Sequence, residues 1–306
     1  MARDDARPQR PQRPQRAQRA RPAGEAGPGA AKSDTDVAYS ARVNNYWRGG
    51  TDNFAADREA AEQALKAFPA LPEAIAAGQG FRRRVARYLV TETSVRQFLD
   101  LGTGLPAGDT IYQIAESLSP GCRAVYTDND PMVLSRARAL LSGAGADTDT
   151  DTGAGAGACA CVDADVRDTA AVLDAAAATL DFGEPVAVIL SSVLHLIPDA
   201  DAPYAIVGAL MNAVAPGSQL VIVHPASDIR PEASAGMAAS LNRMVAQKRT
   251  YRSHAEVSRF FSGLELADPG VVRVPDWRPD SDEEASAPTM AWCGVGRKPP
   301  PGGRPS

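Results

Sequence analysis

"RQFLDLGTGLPAGDT", residues 96–110, decides how this chain folds. An apolar run carries an acid at Asp100; Gly102 and Gly104 follow, then Leu105-Pro106. Apolar residues running into glycines, which accept left-handed backbone, read as a buried strand entering a tight turn. In an alternating α/β chain that turn lies at the carboxyl edge of a parallel sheet, where nucleotides bind.

The flanking sequence repeats the alternation. "RAVYTD" (123–128) leads into "PMVLSRARALL" (131–141), with Pro131 suited to a first helical turn. "CACVDAD" (159–165) leads into "RDTAAVLDAAAATL" (167–180), and "PVAVILSSVL" (185–194) into "PYAIVGALMNAV" (203–214). "SQLVIVHPA" (218–226) is a fifth strand. Helical segments near 231–247 and 253–262 precede "LELADPGVVRV" and "TMAWCGVGRK", two strands expected to pair antiparallel at an edge. Near-continuous Val/Ile/Leu runs mean strands covered on both faces. The fold class is therefore α/β, a doubly wound, mostly parallel sheet.

Residues 35–92 read as an N-terminal helical cap, with Ile75, Phe81, Val85, Tyr88 and Leu89 at helical spacing. Residues 93–298 form the nucleotide-binding domain, interrupted at 142–158 by a Gly/Ala/Asp/Thr stretch without period that reads as a mobile loop. Residues 1–34 hold "RPQRPQRPQRAQRARP", which has nothing large and apolar to bury, and read as a disordered basic tail; 299–306 form a second tail.

Bulk properties narrow the class. The chain has 306 residues, 44% of them hydrophobic, enough for a sizeable core. Its net charge is −5, yet residues 1–32 carry seven Arg and one Lys against three acids, so the body is the acidic part and no nucleic-acid partner is expected. No run approaches the roughly 18–20 apolar residues of a membrane span. The basic N-terminus lacks the apolar segment of a signal peptide, so the expected location is cytoplasmic. Cys122, Cys159, Cys161 and Cys293 show no metal-ligand spacing and read as reduced thiols.

Gly102-x-Gly104-x-x-Ala107 fits a dinucleotide fingerprint, with Asp128 at the expected distance. Asp100 argues otherwise. A carboxylate two residues before the first glycine repels a pyrophosphate, whereas S-adenosylmethionine (SAM) carries a sulfonium and an ammonium. Asp128, ending the second strand, can accept from both ribose hydroxyls, and Asp165, after the third, from an adenine amino group. Each could also simply cap a helix.

These stretches also resemble a family. "FLDLGTG", "VYTDNDPMVL", "VDADVRD" and "VILSSVLHLIPD" look like successive motifs of class I SAM-dependent methyltransferases. More narrowly, "ARVNNYWRGGTDNFAADREAAEQ", "QFLDLGTGLP", "YTDNDPMVLSRARALL" and "RFFSGLELADPGVVRVPDWRP" resemble a bacterial methyltransferase family long listed as a domain of unknown function, over residues 37–298. The resemblance implies a Rossmann-like sheet of seven strands with the last pair reversed, SAM as cofactor, and a cap segment folding over it. The expected cofactor contacts are Asp100, Gly102, Gly104, Asp128, Asn129, Asp165, Val166 and Ser191, with Arg42, Tyr46, Gly50, Asn53 and Phe54 from the cap. The cap cluster reads equally as a plain turn between helices. Leu105-Pro106 replaces the third glycine of the general class, and Pro106 would stiffen the turn.

His195 and His224 follow the fourth and fifth strands and are the candidate general bases; each could instead be a core histidine. The expected activity is methyl transfer to a small-molecule oxygen or nitrogen. A nicotinamide-dependent oxidoreductase and a SAM-binding regulator without turnover are the competing readings.

Deleting residues 1–34 is expected to leave the fold and the cofactor affinity unchanged, because that repeat cannot join a core. Aggregation of the truncated protein, or a weaker calorimetric titration, would contradict this.

Overall fold

The central strand β1 (Gln97–Leu101) alternates strictly. Leu99 and Leu101 enter one core with Val125, Val188, Leu190, Leu220 and Ile222. Phe98 enters the other with Ala124, Tyr126, Ile189, Val221 and Val295. That alternation is the pleat of a strand covered on both faces. These positions come from a computed structural model that describes residues 35–105, 110–143 and 159–302. The basic tail, Pro106 and Ala107 of the turn, nearly all of the 142–158 stretch and the last four residues lie outside the described residues.

Parallel pairing places β2 (Arg123–Asp128) and β4 (Val186–Ser191) on either side of β1, β3 (Cys159–Asp163) beyond β2, and β5 (Gln219–Pro225) beyond β4. β8 (Ala291–Arg297) runs antiparallel beside β5, with Pro225 opposite Ala291. Two short strands, β6 (Glu265–Leu266) and β7 (Val272–Arg273), share the far side of β8. They fill one strand position, interrupted where Pro269 has no N–H to give and Gly270 takes a φ of 91°. The sheet order is thus β3-β2-β1-β4-β5-β8-β6, seven positions wide. Of the expected reversed pair only β8 is reversed, and it lies inside the edge because β6 and β7 cover it.

Helices α6 (Thr169–Ala176) and α7 (Pro203–Ala213) cover the first face, together with the segment Val257–Phe261 that includes the end of the short helix α9 (His254–Ser258). Helices α3 (Leu71–Thr91) and α4 (Ile111–Leu118) cover the second. α5 (Pro131–Gly143) joins β2 to β3, and Asp163 ends β3 two residues before Asp165. Helices α1 (Ser40–Trp47) and α2 (Ala55–Ala67) build a third apolar cluster through Val43, Ala60, Ala61 and Ala64, which pack with Met237 and Leu241 of α8 (Pro231–Met244). The cap therefore serves two purposes. α3 packs directly on the sheet, while α1 and α2 lean on α8. Residues from Thr35 onward form one compact unit. Among the described residues no helix is long and apolar enough to cross a membrane, and no cluster of His, Cys, Asp or Glu suits a metal ion.

The C-terminal segment is held by a buried arginine. Trp277 is fully buried, edge-on to Phe81 at 5.4 Å and to Tyr88 at 5.6 Å. Arg84 donates to Trp277 O at 2.8 Å and Val274 O at 3.1 Å, and pairs with Glu284 at 2.6 Å. Arg84→Met should destabilise by about 2–4 kcal/mol, because two buried carbonyls lose their donor. Arg83→Met, on the exposed side of the same helix, should stay within about 0.5 kcal/mol. Denaturant unfolding of the two variants checks the contrast.

Candidate active site

The carboxyl ends of β1 to β5 open into a cavity of about 310 Å³, roofed by α1 and α3. Position along this edge follows strand order: Asp165, Asp128 and the β1 turn, then Ser191 to His195, then Pro225 and Ala291. Neighbouring strands stand about 4.8 Å apart, so the lining spans several strand spacings.

The turn after β1 is built as its glycines require. Gly102 and Gly104 have φ of 66° and 68°, conformations that L side chains rarely adopt. A Cβ on Gly102 would stand 2.4 Å from Val193 Cγ2, so this glycine also permits the β4 loop to close on the turn. Around the missing Cβ of Gly104 nothing lies within 4 Å, and that residue lines the cavity. The N–H groups of Gly102 and Thr103 donate to Thr127 O at 2.9 and 3.1 Å. Gly104 N–H donates to Asp128 Oδ2 at 3.0 Å.

Asp100 therefore does not hold the turn. The β1 pleat turns it, like Phe98, toward the α3 face, and it is not among the cavity-lining residues. Its neighbour is Arg82 of α3, which does line the cavity. Burial pushes the Asp100 carboxyl up to about 6, against the opposing pull of Arg82. Burial likewise lowers Arg82, and Asp100 resists that. Asp100 is thus not an isolated charge: Arg82 lies within electrostatic reach of it and, unlike Asp100, lines the cavity.

Asp128 has two duties. Besides the Gly104 contact, its Oδ1 accepts from Asp130 N–H at 3.0 Å, while burial raises its carboxyl. Asp165 is pinned by Arg167, whose Nη2 lies 2.6 Å from Oδ2, and it accepts from Asn129 Nδ2 at 3.3 Å. Those Arg167 hydrogen bonds hold its carboxyl below the ordinary value. Asn129, Val166 and Ser191 also line the cavity, beside Ser192 in left-handed backbone (φ 61°).

The two candidate bases part company. His195, on a single turn after β4, lines the cavity, and its buried Nδ1 has no hydrogen-bond partner. Burial, then Arg249, His224 and Arg252, press its pKa well below the ordinary value, so it is neutral at pH 7. His224 is sealed in the sheet edge and is not a lining residue. Its Nδ1–H donates to Pro225 O at 2.9 Å, and its Nε2 accepts from Arg252 Nη1 at 3.0 Å. Both nitrogens are occupied and burial lowers it to about 4, which leaves no lone pair for an acceptor.

The cap cluster spans α1, with Arg42 and Tyr46, and the turn into α2, with Gly50, Asn53 and Phe54. Arg42 is buried, pairs with Asp57 at 3.0 Å and donates to Val37 O at 2.6 Å. Tyr46 bonds Glu62, and Asn53 Nδ2 bridges Asn45 Oδ1 and Gly50 O at 3.0 and 2.8 Å. Phe54 N–H donates to Asp57 Oδ2 at 2.8 Å, starting α2. None of these five residues lines the cavity. The cap lines the cavity with other side chains: Ser40, Ala41, Asn44 and Trp47 of α1, Arg48 just after it, and Ala74, Ile75, Gly78, Gln79 and Arg82 of α3. Their spacings of three, four and seven are helix faces, the signal that would have found them. With its amide turned so that Oε1 faces α1, Gln79 accepts from Arg48 Nε at 3.0 Å. Arg48 Nη1 reaches Leu105 O at 3.5 Å, and burial lowers Arg48 to about 10.

Residues 249–252 were also missed. "RTYR" looks like a solvated linker, yet Arg249 and Arg252 are buried and Arg249 and Tyr251 line the cavity.

The chain matches the model of a family described as S-adenosyl methyltransferase over residues 27–299. Two crystal structures are similar along nearly their whole length. A DUF574 family protein from Streptomyces avermitilis MA-4680 is 35% identical, with a TM-score of 0.78, covering 87% of this chain and 99% of that one. A candidate methyltransferase from Thermobifida fusca YX is 34% identical, also at 0.78, covering 87% and 97%. No curated protein matches the chain. The open cradle at Gly104, the strand-end acids and the roof arginines fit a zwitterionic nucleoside cofactor, and the nicotinamide reading is set aside. With a Rossmann-like sheet, a glycine turn at its switch edge and that match across most of its length, the chain belongs to the S-adenosyl methyltransferase family, whose members use SAM as methyl donor.

Proposed function

We propose that this protein methylates an oxygen or nitrogen of a small molecule bound between the β4 loop, the end of β5 and the roof helices. The carrying observation is the order of groups along one sheet edge: acids at β3 and β2, the glycine turn at β1, and His195 beyond β4. The roof of α1 and α3 favours a compact acceptor over a polymer chain. The remaining lone pairs of Asp128 suit the ribose hydroxyls, and Asp165 with Asn129 suits the adenine edge. Arg82 and Arg48 suit the methionyl carboxylate, with Asp100 helping to keep Arg82 charged. SAM, when bound, supplies a methyl group already activated on a sulfonium, so positioning the nucleophile does much of the work. His195 is neutral and its Nδ1 unpartnered, so it can accept a proton or a hydrogen bond from the acceptor.

S-adenosylhomocysteine should bind in calorimetry with a quenching or enhancement of Trp47 fluorescence, since Trp47 lines the cavity. NAD binding more tightly than S-adenosylhomocysteine would refute the assignment. Asp128→Ala should weaken S-adenosylhomocysteine by about 1.5–3 kcal/mol, the scale of hydrogen bonds to a charged group. It should also lower the melting temperature slightly, because Gly104 N–H loses its acceptor.

Asp100 gives a pH-dependent test. Its folded pKa lies above the unfolded value, so the folded state holds the extra proton between roughly pH 4 and 6. The ionised form therefore costs stability above that window. The stability of Asp100→Asn relative to wild type should rise from pH 4 to 6.5 and then level off, by about 1–2 kcal/mol. A difference that is flat with pH would show that the carboxyl is not perturbed.

A further inference from the structure

Among the described residues, no carboxylate forms an ion pair with Arg249. Arg249 is 7% exposed and lines the cavity, and its enclosed Nη1 has no hydrogen-bond partner. Asn242 clamps its backbone, accepting from Arg249 N–H at 2.7 Å and donating to Arg249 O at 3.0 Å, so the side chain is placed by design of the chain path. The groups that act on it electrostatically are Tyr251 and His195. Burial drives the Tyr251 phenol up to about 12, leaving it a neutral donor. His195 is neutral, and its ring lies 6.3 Å from that of Tyr251. A desolvated guanidinium without an anion is costly, and a bound anion is the means of recovering that cost.

We propose that Arg249, with Tyr251 lining the same cavity, forms an acceptor subsite that recognises a carboxylate carried by the methyl acceptor. This rests on the methyltransferase reading above. The methionyl carboxylate of the cofactor is the competing anion, and strand order separates the two. Arg48 and Arg82 adjoin the β1 turn, at Leu105 and Asp100. The Arg249 segment instead runs along the ends of β4 and β5: Thr250 N–H donates to His195 O at 2.7 Å, and Arg252 pairs with Ala226. One guanidinium balances one carboxylate, whereas a phosphate dianion would leave a charge uncompensated in a buried site. A carboxylate bound there would also offset the Arg249 contribution to the lowering of His195, while the larger effect of burial remains.

Titration of benzoate into the protein saturated with S-adenosylhomocysteine tests the proposal, with benzamide as the uncharged isostere and inorganic phosphate as the alternative anion. Wild type should bind benzoate with millimolar affinity and ignore benzamide. Arg249→Gln should weaken benzoate roughly tenfold or more, as expected for loss of a charge-assisted contact. Its S-adenosylhomocysteine affinity should stay within about threefold of wild type, and its apo melting temperature should rise, because an unpaired buried charge is gone. Arg249→Lys, which keeps the charge, should retain part of the benzoate affinity and guards against a folding defect. Equal benzoate binding by wild type and Arg249→Gln, tighter binding of phosphate, or a tenfold loss of S-adenosylhomocysteine in the variant would each overturn the subsite. Failure of wild type to bind S-adenosylhomocysteine at all would instead strike the underlying reading.

Discussion

The far half of the site depends on the guanidinium of Arg252. It is buried, and its two terminal nitrogens meet four acceptors: Leu194 O at 3.0 Å, His224 Nε2 at 3.0 Å, Ile197 O at 2.9 Å and Asp199 Oδ1 at 2.7 Å. Its carbon lies 5.6 Å from the centre of the Phe260 ring. Two carbonyls belong to the loop after β4, and the imidazole belongs to β5. One side chain therefore fixes the loop that carries His195 against the strand beside it. Because His224 accepts at Nε2, its proton must sit on Nδ1, facing Pro225 O. The histidine that sequence alone could not distinguish from a base is thereby committed to the scaffold. Charge-assisted bonds of this kind are the stronger class, and they offset the cost of burying the cation.

The same segment sets the electrostatics of the cavity. Arg249 and Arg252 stand on either side of Tyr251, and both cations lower His195. Carboxylates gather toward β2 and β3, at Asp128, Asp130 and Asp165, with Arg167 paired to Asp165 there, whereas the other lining guanidiniums occupy the roof and the β5 side. A cofactor that carries cationic and anionic groups, next to an acceptor that carries its own, suits a site divided in this way better than one of uniform sign.

How much could be read beforehand follows from the physics of each signal. The buried parallel strands were legible because full burial selects unbroken apolar runs such as "VAVILS", and their ends were placed within a few residues. The glycine turn was legible because positive φ restricts residue choice at Gly102 and Gly104. Side-chain direction on helices was not. In Arg82-Arg83-Arg84, successive residues are about 100° apart around the axis, so one enters the cavity, one meets solvent and one reaches Trp277 O. A run of three charges looks like a solvated face until the neighbours are known. Likewise "RTYR" carries no apolar signal, and its burial depends on acceptors more than fifty residues away at Leu194 and Ile197.

The role first assigned to Asp100 shows the limit of reasoning from a single charge. A carboxylate before a glycine turn selects a cationic ligand only if nothing else neutralises it. Here α3 brings Arg82 within electrostatic reach of Asp100, and of the two it is Arg82 that lines the cavity. The acid that does act on the turn is Asp128, which takes the Gly104 N–H that a phosphate oxygen would need, so an occupied hydrogen bond at the end of β2 disfavours a pyrophosphate there.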